Sequence, residues 1–183
     1  MGTELDSVLG ELTQLLEKTG GTSRVRDGRV VPSVVYDLRY RVIVVSCVFE
    51  RFARPMTVLP GRRWMRSDKL KFLQFVAIRP WLTSVVREWS EARRDAQRSM
   101  LTSDRLRRGF LADTTHDRLV DFLVAASVFT RHPNGTHVME GRPGNLLDML
   151  AGEVDEQNLF GSERAALADL RTITITTDML EGW

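Results

Sequence analysis

The residues with most chemical reach in this chain are three histidines, one cysteine and several arginine clusters. His116, His132 and His137 would bind zinc only if they converged with a carboxylate at ligand spacing. His132 and His137 flank a turn and could face one another, but imidazoles on an exposed hairpin are more often solvated. No metal site is therefore expected. Thr115-His116-Asp117 has the residue types of a catalytic grouping. In the simpler reading Thr115 caps a helix and Asp117 sits in its first turn, where negative charge offsets the dipole. Cys47 is the single cysteine, which excludes an internal disulfide and a thiolate zinc cluster. Its setting in residues 42–49 (VIVVSCVF) is that of a buried, small apolar side chain.

Neither a G-x-x-x-x-G-K-[ST] loop nor a G-x-G-x-x-G after a strand is present, and there is no nucleophile elbow. No pair of carboxylates stands in an apolar setting that would split its pKa values. The expectation is a non-catalytic protein without cofactor or metal.

Arginine is the more informative residue type. Arg62, Arg63 and Arg66 surround Trp64, a pattern suited to phosphate contact with base stacking. The competing reading is a loop pinned by Trp64 in the core. Arg105, Arg107 and Arg108 form a second group, and Arg131 with His132 a third. The net charge of +2 conceals an uneven distribution. Residues 62–118 hold 14 lysines and arginines against 7 acids, whereas residues 138–183 hold 3 against 9. A basic middle and an acidic tail suit a nucleic-acid face or pairing with another protein. Spread over solvated faces, the same charges would mean neither, and the mixed charges of residues 91–98 (EARRDAQR) support that reading.

These residues need elements to position them. With 183 residues, 43% hydrophobic and 27% charged, the chain has the composition of an ordinary globular protein. No signal-peptide layout opens it, and its longest apolar run is far short of the ~20 residues that span a bilayer. A cytoplasmic location is expected. Residues 1–21 should be an N-terminal helical arm, with Leu5, Val8, Leu12 and Leu15 on one face. Residues 22–33 read as a linker or a small exposed hairpin. Residues 34–54 should be a helix that Pro55 ends, although the β-branched stretch Val42–Val45 also suits a strand. Residues 56–66 read as a loop with a turn at Pro60-Gly61. Ser67-Asp68 should cap a helix to about Ile78, and a further helix should run from Trp81 to Arg98. Ser103-Asp104 should begin a short helix that Gly109 closes.

The most organised stretch lies beyond Gly109. Leu119, Phe122, Leu123 and Ala126 give a helix one buried face. Residues 128–131 and 136–139 should form a β-hairpin through His132-Pro133-Asn134-Gly135, since Asn-Gly tolerates positive φ. A helix running into a hairpin is the sequence shape of a winged helix. Its helix would be a poor reader of bases, offering Arg118 but also Asp117 and Asp121. Nucleic-acid contact should fall instead on Arg62, Arg63, Arg66, Arg105, Arg107, Arg108, Arg131 and His132. Asn145 should cap a helix to about Ala151, and another should run from Glu163 to about Leu170. The Thr/Ile alternation after Thr172 could be a short strand. The fold class expected is mainly α: a winged-helix-like core over 34–140 with one β-hairpin, the N-terminal helical arm, and a C-terminal helical segment over 141–183 packed on the core.

Residues 38–55 (LRYRVIVVSCVFERFARP), 69–82 (KLKFLQFVAIRPWL) and 119–138 together resemble the middle components of bacterial ABC-three-component defence systems. Lys69, Leu70, Leu73, Phe75, Pro80 and Leu82 stand at the positions of the shared K-L-x-x-L-x-F-x-x-x-x-P-x-L helix. The N-terminal helix and the charged helix around residue 90 match nothing in that pattern. The resemblance implies a winged-helix-like subunit that links an SMC-like ATPase to an effector. The function expected is a non-catalytic adaptor of such an anti-phage complex, with nonspecific contact to the DNA backbone. The alternative is a stand-alone DNA-binding regulator.

Overall fold

The computed structural model describes residues 23–26, 29–32, 38–92, 104, 106–141, 146–176 and 180. The expected N-terminal helical arm, the polar end of the helix through residues 93–98, the cap at Ser103, Arg105 and the turn at residues 142–145 lie outside the described residues.

The first elements are two short strands, β1 (Ser23–Arg26) and β2 (Arg29–Pro32), paired antiparallel as the small hairpin that was one reading of this segment. Helix α1 (Leu38–Phe52) comes next and is buried on almost every side. Val42, Val44, Val45, Val48 and Phe49 are all core residues. The β-branched stretch is helical because each such residue costs only tenths of a kcal/mol in helix propensity. Burying each side chain returns about 1.5–3 kcal/mol.

The expected loop over 56–66 is corrected. Pro60-Gly61 does make a turn, with Gly61 at φ +82°, but it joins two strands. These are β3 (Arg54–Pro55) and β4 (Arg63–Arg66). Four residues with one buried side chain, Met65, are too few to show alternation in a sequence. Helix α2 (Ser67–Ala77) begins directly after β4. It is capped differently from the expectation: the Ser67 hydroxyl donates to the Gly135 carbonyl, while the Asp68 carboxylate accepts from the Lys69 amide. Pro80 stops it, and the chain passes through a 3-10 turn (Pro80–Leu82) into α3 (Thr83–Glu91), not through one helix from Trp81. Gly109 does not close its helix. Residues 106–111 are helical through it, and a Cβ there would lie 3.1 Å from the Phe75 ring, so glycine permits the close approach.

Helix α4 (Thr115–Ala125) runs into strands β5 (Phe129–Arg131) and β6 (His137–Glu140). Its first amide is capped by the Asp113 carboxylate, 3.3 Å from the Thr115 nitrogen, and not by a threonine hydroxyl. Gly135 takes φ +71° in the hairpin turn. The antiparallel order β3-β4-β6-β5 makes this hairpin half of a four-stranded sheet. The helix-then-hairpin shape is thus present, with β4 before α2 supplying the third strand and β3 a fourth. Met65, Phe129, Val138 and Glu140 face inward. Two further helices, α5 (Leu146–Glu156) and α6 (Gly161–Thr172), complete the same core with Leu147, Leu150, Val154, Leu167 and Leu170. Both run longer than their apolar patterns suggest. Residues 173–176 form no strand. Ile173 and Leu180 are buried there, and no strand pairs with this segment among the described residues.

A candidate nucleic-acid interface

Register determines which side chains share the outer face of the sheet. Arg54 pairs with Trp64, Trp64 with Met139, Arg66 with His137, and Thr130 with Met139. Paired residues project to the same side, and residues two apart along a strand do too. Met65 and Val138 are buried, so the intervening row points outward. The outer face therefore carries Arg54, Trp64, Arg66, His137, Met139 and Thr130. The Trp64 indole meets the His137 ring edge-on at 4.7 Å between centroids. Two arginines flank a half-buried indole on a solvent-facing sheet.

This face runs into a cleft. A cavity of about 300 Å³ is lined by Arg54, Trp64, Arg66, Lys69 and, from the C-terminal segment, Ile175 and Leu180. A second, of about 240 Å³, shares Phe52, Lys69 and Ile175 and adds Arg51 and Arg171. No acidic residue is among the described residues lining either. Lys69 sits where the two meet. Burial first, and Arg54 second, lower its ammonium pKa below the ordinary lysine value. Among the described residues Asp68 is the acid that acts on Lys69. Its carboxylate is already engaged by the Arg66 guanidinium at 2.6 and 3.1 Å and by the Lys69 amide at 2.6 Å. Among the described residues, the cleft holds more positive charge than its own acids balance.

The arginines expected from the sequence divide into groups. Arg66 reaches the cleft, and Trp64 is partly exposed there and not pinned inside the core. Arg63 points to the opposite side of β4. Its guanidinium hydrogen-bonds the buried Glu140 at 2.5 and 3.1 Å and Asp148 at 2.7 Å. Those carboxylates hold its proton more tightly than in a free arginine. Arg131 pairs with Asp121 of α4 at 2.7 Å. His132 is exposed, with Nδ1 2.6 Å from the Asn134 side-chain oxygen inside the turn. Arg62 is half-buried, while Arg107 and Arg108 are exposed, and none of the three lines the cleft. Arg105 lies outside the described residues. Sequence reasoning missed Arg54, Lys69 and Arg171. The available signal was Lys69, set directly after Ser67-Asp68 and close to the Arg62–Arg66 group.

The Thr115-His116-Asp117 grouping does not converge. Asp117 turns outward to Lys71 at 3.4 Å, while the His116 Nδ1 lies 2.8 Å from the Gln74 side-chain oxygen. Burial foremost keeps His116 neutral, its pKa down to about 3. Beside it Asp113 binds Arg41 at 2.9 Å and Arg79 at 3.2 Å. Those guanidiniums outweigh burial and hold its carboxyl below the usual aspartate range. This cluster ties α1, α2 and the start of α4 together. Among the described residues no three His, Cys, Asp or Glu side chains gather to hold a metal, and no helix is long and apolar enough to cross a membrane. No protein-family model, curated protein or solved structure matches the chain.

Proposed function

We propose that the chain is a non-catalytic adaptor of a bacterial multi-protein assembly that touches the nucleic-acid backbone without reading its sequence. The observation that carries the nucleic-acid part is the Arg54–Trp64–Arg66 row on the outer face of the sheet, opening into the cleft around Lys69. Cations on a concave wall attract phosphate and release counterions, which gives affinity without sequence preference. Arg107 and Arg108 are exposed as well, outside the cleft lining. The adaptor part rests on the middle-component resemblance of residues 38–55, 69–82 and 119–138, with an SMC-like ATPase as the partner.

The stand-alone regulator is the weaker reading. Helix α4 presents Asp117, Arg118 and Asp121 to solvent, and Asp121 already engages Arg131. Two carboxylates on a would-be recognition helix repel phosphate. A labelled random-sequence duplex tests the proposal by fluorescence anisotropy at rising salt. Binding should weaken steeply with salt, show no sequence selectivity, and fall at least tenfold in Arg54→Glu/Lys69→Glu. Co-expression with an SMC-like ATPase should give a complex that survives gel filtration. Sequence-selective duplex binding, or affinity unchanged in the double variant, argues against the proposal.

A further inference from the structure

We infer that the cleft between the outer sheet face and Ile175, Thr176 and Leu180 receives one unpaired nucleotide of a single strand, its base against Trp64 and its phosphate between Arg54 and Lys69. This rests on the nucleic-acid reading above and sharpens it from backbone contact to a preference for single strands.

Three observations carry the inference. First, the lining is mixed in the way a nucleotide is. Trp64, Phe52, Ile175 and Leu180 give an apolar wall, and Arg54, Arg66 and Lys69 give a cationic edge. A surface built only for duplex phosphates has no use for the apolar wall. Second, the size is selective. At about 300 Å³ the cleft stands at the low end of small-ligand pockets. That size suits a single nucleotide better than a stacked pair. A duplex offers no free base to it, whereas a single strand splays its bases onto aromatic side chains at little cost. Third, the charges are unbalanced. Lys69 and Arg54 raise each other's electrostatic energy, and the Asp68 carboxylate beside them is held by Arg66. A phosphate between the two cations relieves that repulsion.

Trp64 is suited to the stacking role because His137 meets it edge-on, a contact that steadies the ring from one side. It lies on a strand fixed on both edges, by β3 and by β6, so the platform is rigid before a ligand arrives.

The test compares an oligothymidylate of about ten nucleotides with a duplex of equal length, by anisotropy at one salt concentration. The full chain is used as wild type, Trp64→Leu, Trp64→Phe and Lys69→Gln, each first shown by circular dichroism to melt as a folded protein. Single strand should bind at least tenfold tighter than duplex. Trp64→Leu should lose about tenfold on single strand, within the range of one base–aromatic stack, and little on duplex. Trp64→Phe should restore most of that loss. Lys69→Gln should weaken both ligands. Equal affinity for the two ligands with normal salt dependence overturns the single-strand inference and leaves the backbone-contact reading standing. Full single-strand affinity in a folded Trp64→Leu does the same. Failure of wild type to bind either ligand overturns both.

Discussion

The guanidinium of Arg63 and the carboxylate of Glu140 are joined across adjacent strands by hydrogen bonds at 2.5 and 3.1 Å, while the Arg63 amide donates to the other Glu140 oxygen at 2.9 Å. Glu140 is only 3% exposed. A carboxylate so buried is tolerable because it is paired and its oxygens are occupied. Arg63 is thus a structural cation of the inner sheet face, and its partner is legible only once β4 and β6 are seen to be neighbours. Removing it leaves an unpaired buried charge. Arg63→Met should lower unfolding stability by about 3 kcal/mol in urea titration. Arg63→Met/Glu140→Leu should recover much of that loss, because both charges are then gone.

Acid should weaken the fold through His116. Its pKa is about 3 in the folded state, below the ordinary histidine value of 6.5. Between these values the unfolded chain binds the proton and the folded one does not. Stability attributable to His116 is therefore complete above about pH 6.5 and declines as pH falls towards 3. Asp113 acts in the same direction lower down. Its folded pKa lies below the ordinary aspartate value, so the stability it adds is present above that value and is lost as acid protonates it. From pH 7 to pH 5 the histidine contribution should drop by about 2 kcal/mol. Urea midpoints at the two pH values measure it. A His116→Gln variant should show a much flatter dependence over that interval.

Cys47 should be inert while the protein is folded. It is buried on α1, and burial pushes its thiol up to about 11. The thiolate is the reactive species, so a disulfide reagent at pH 8 should label Cys47 only through unfolding. Labelling should be slow in buffer and complete within mixing time in concentrated urea. Fast labelling in buffer would mean that α1 is not held as the core describes.

Much of the helical framework was legible in the sequence. α1, α2, α4, α5 and α6 each carry an apolar spacing that survives in the structure, and the Asn134-Gly135 turn is where it was expected. Strand pairing escaped. β4 has four residues and one buried side chain, so nothing local distinguishes it from a loop until β6 lies beside it. The same blindness affected the site. Arg63 and Arg66 are three apart and look alike in the sequence, yet alternation along β4 sends one inward to Glu140 and the other outward to the cleft. Arg54 and Arg171 were missed because residues far apart in the chain meet there only after folding.

If phosphate meets the outer sheet face and its cleft, as proposed, the salt dependence of binding reports it most directly. The slope of log affinity against log salt counts the phosphates neutralised. Arg54→Gln/Lys69→Gln removes both cations around one phosphate and should make that slope shallower by about 1, while Arg118→Gln on α4 should leave it unchanged. A slope unaltered by the double variant, or one that moves only when Arg118 is changed, would contradict the account.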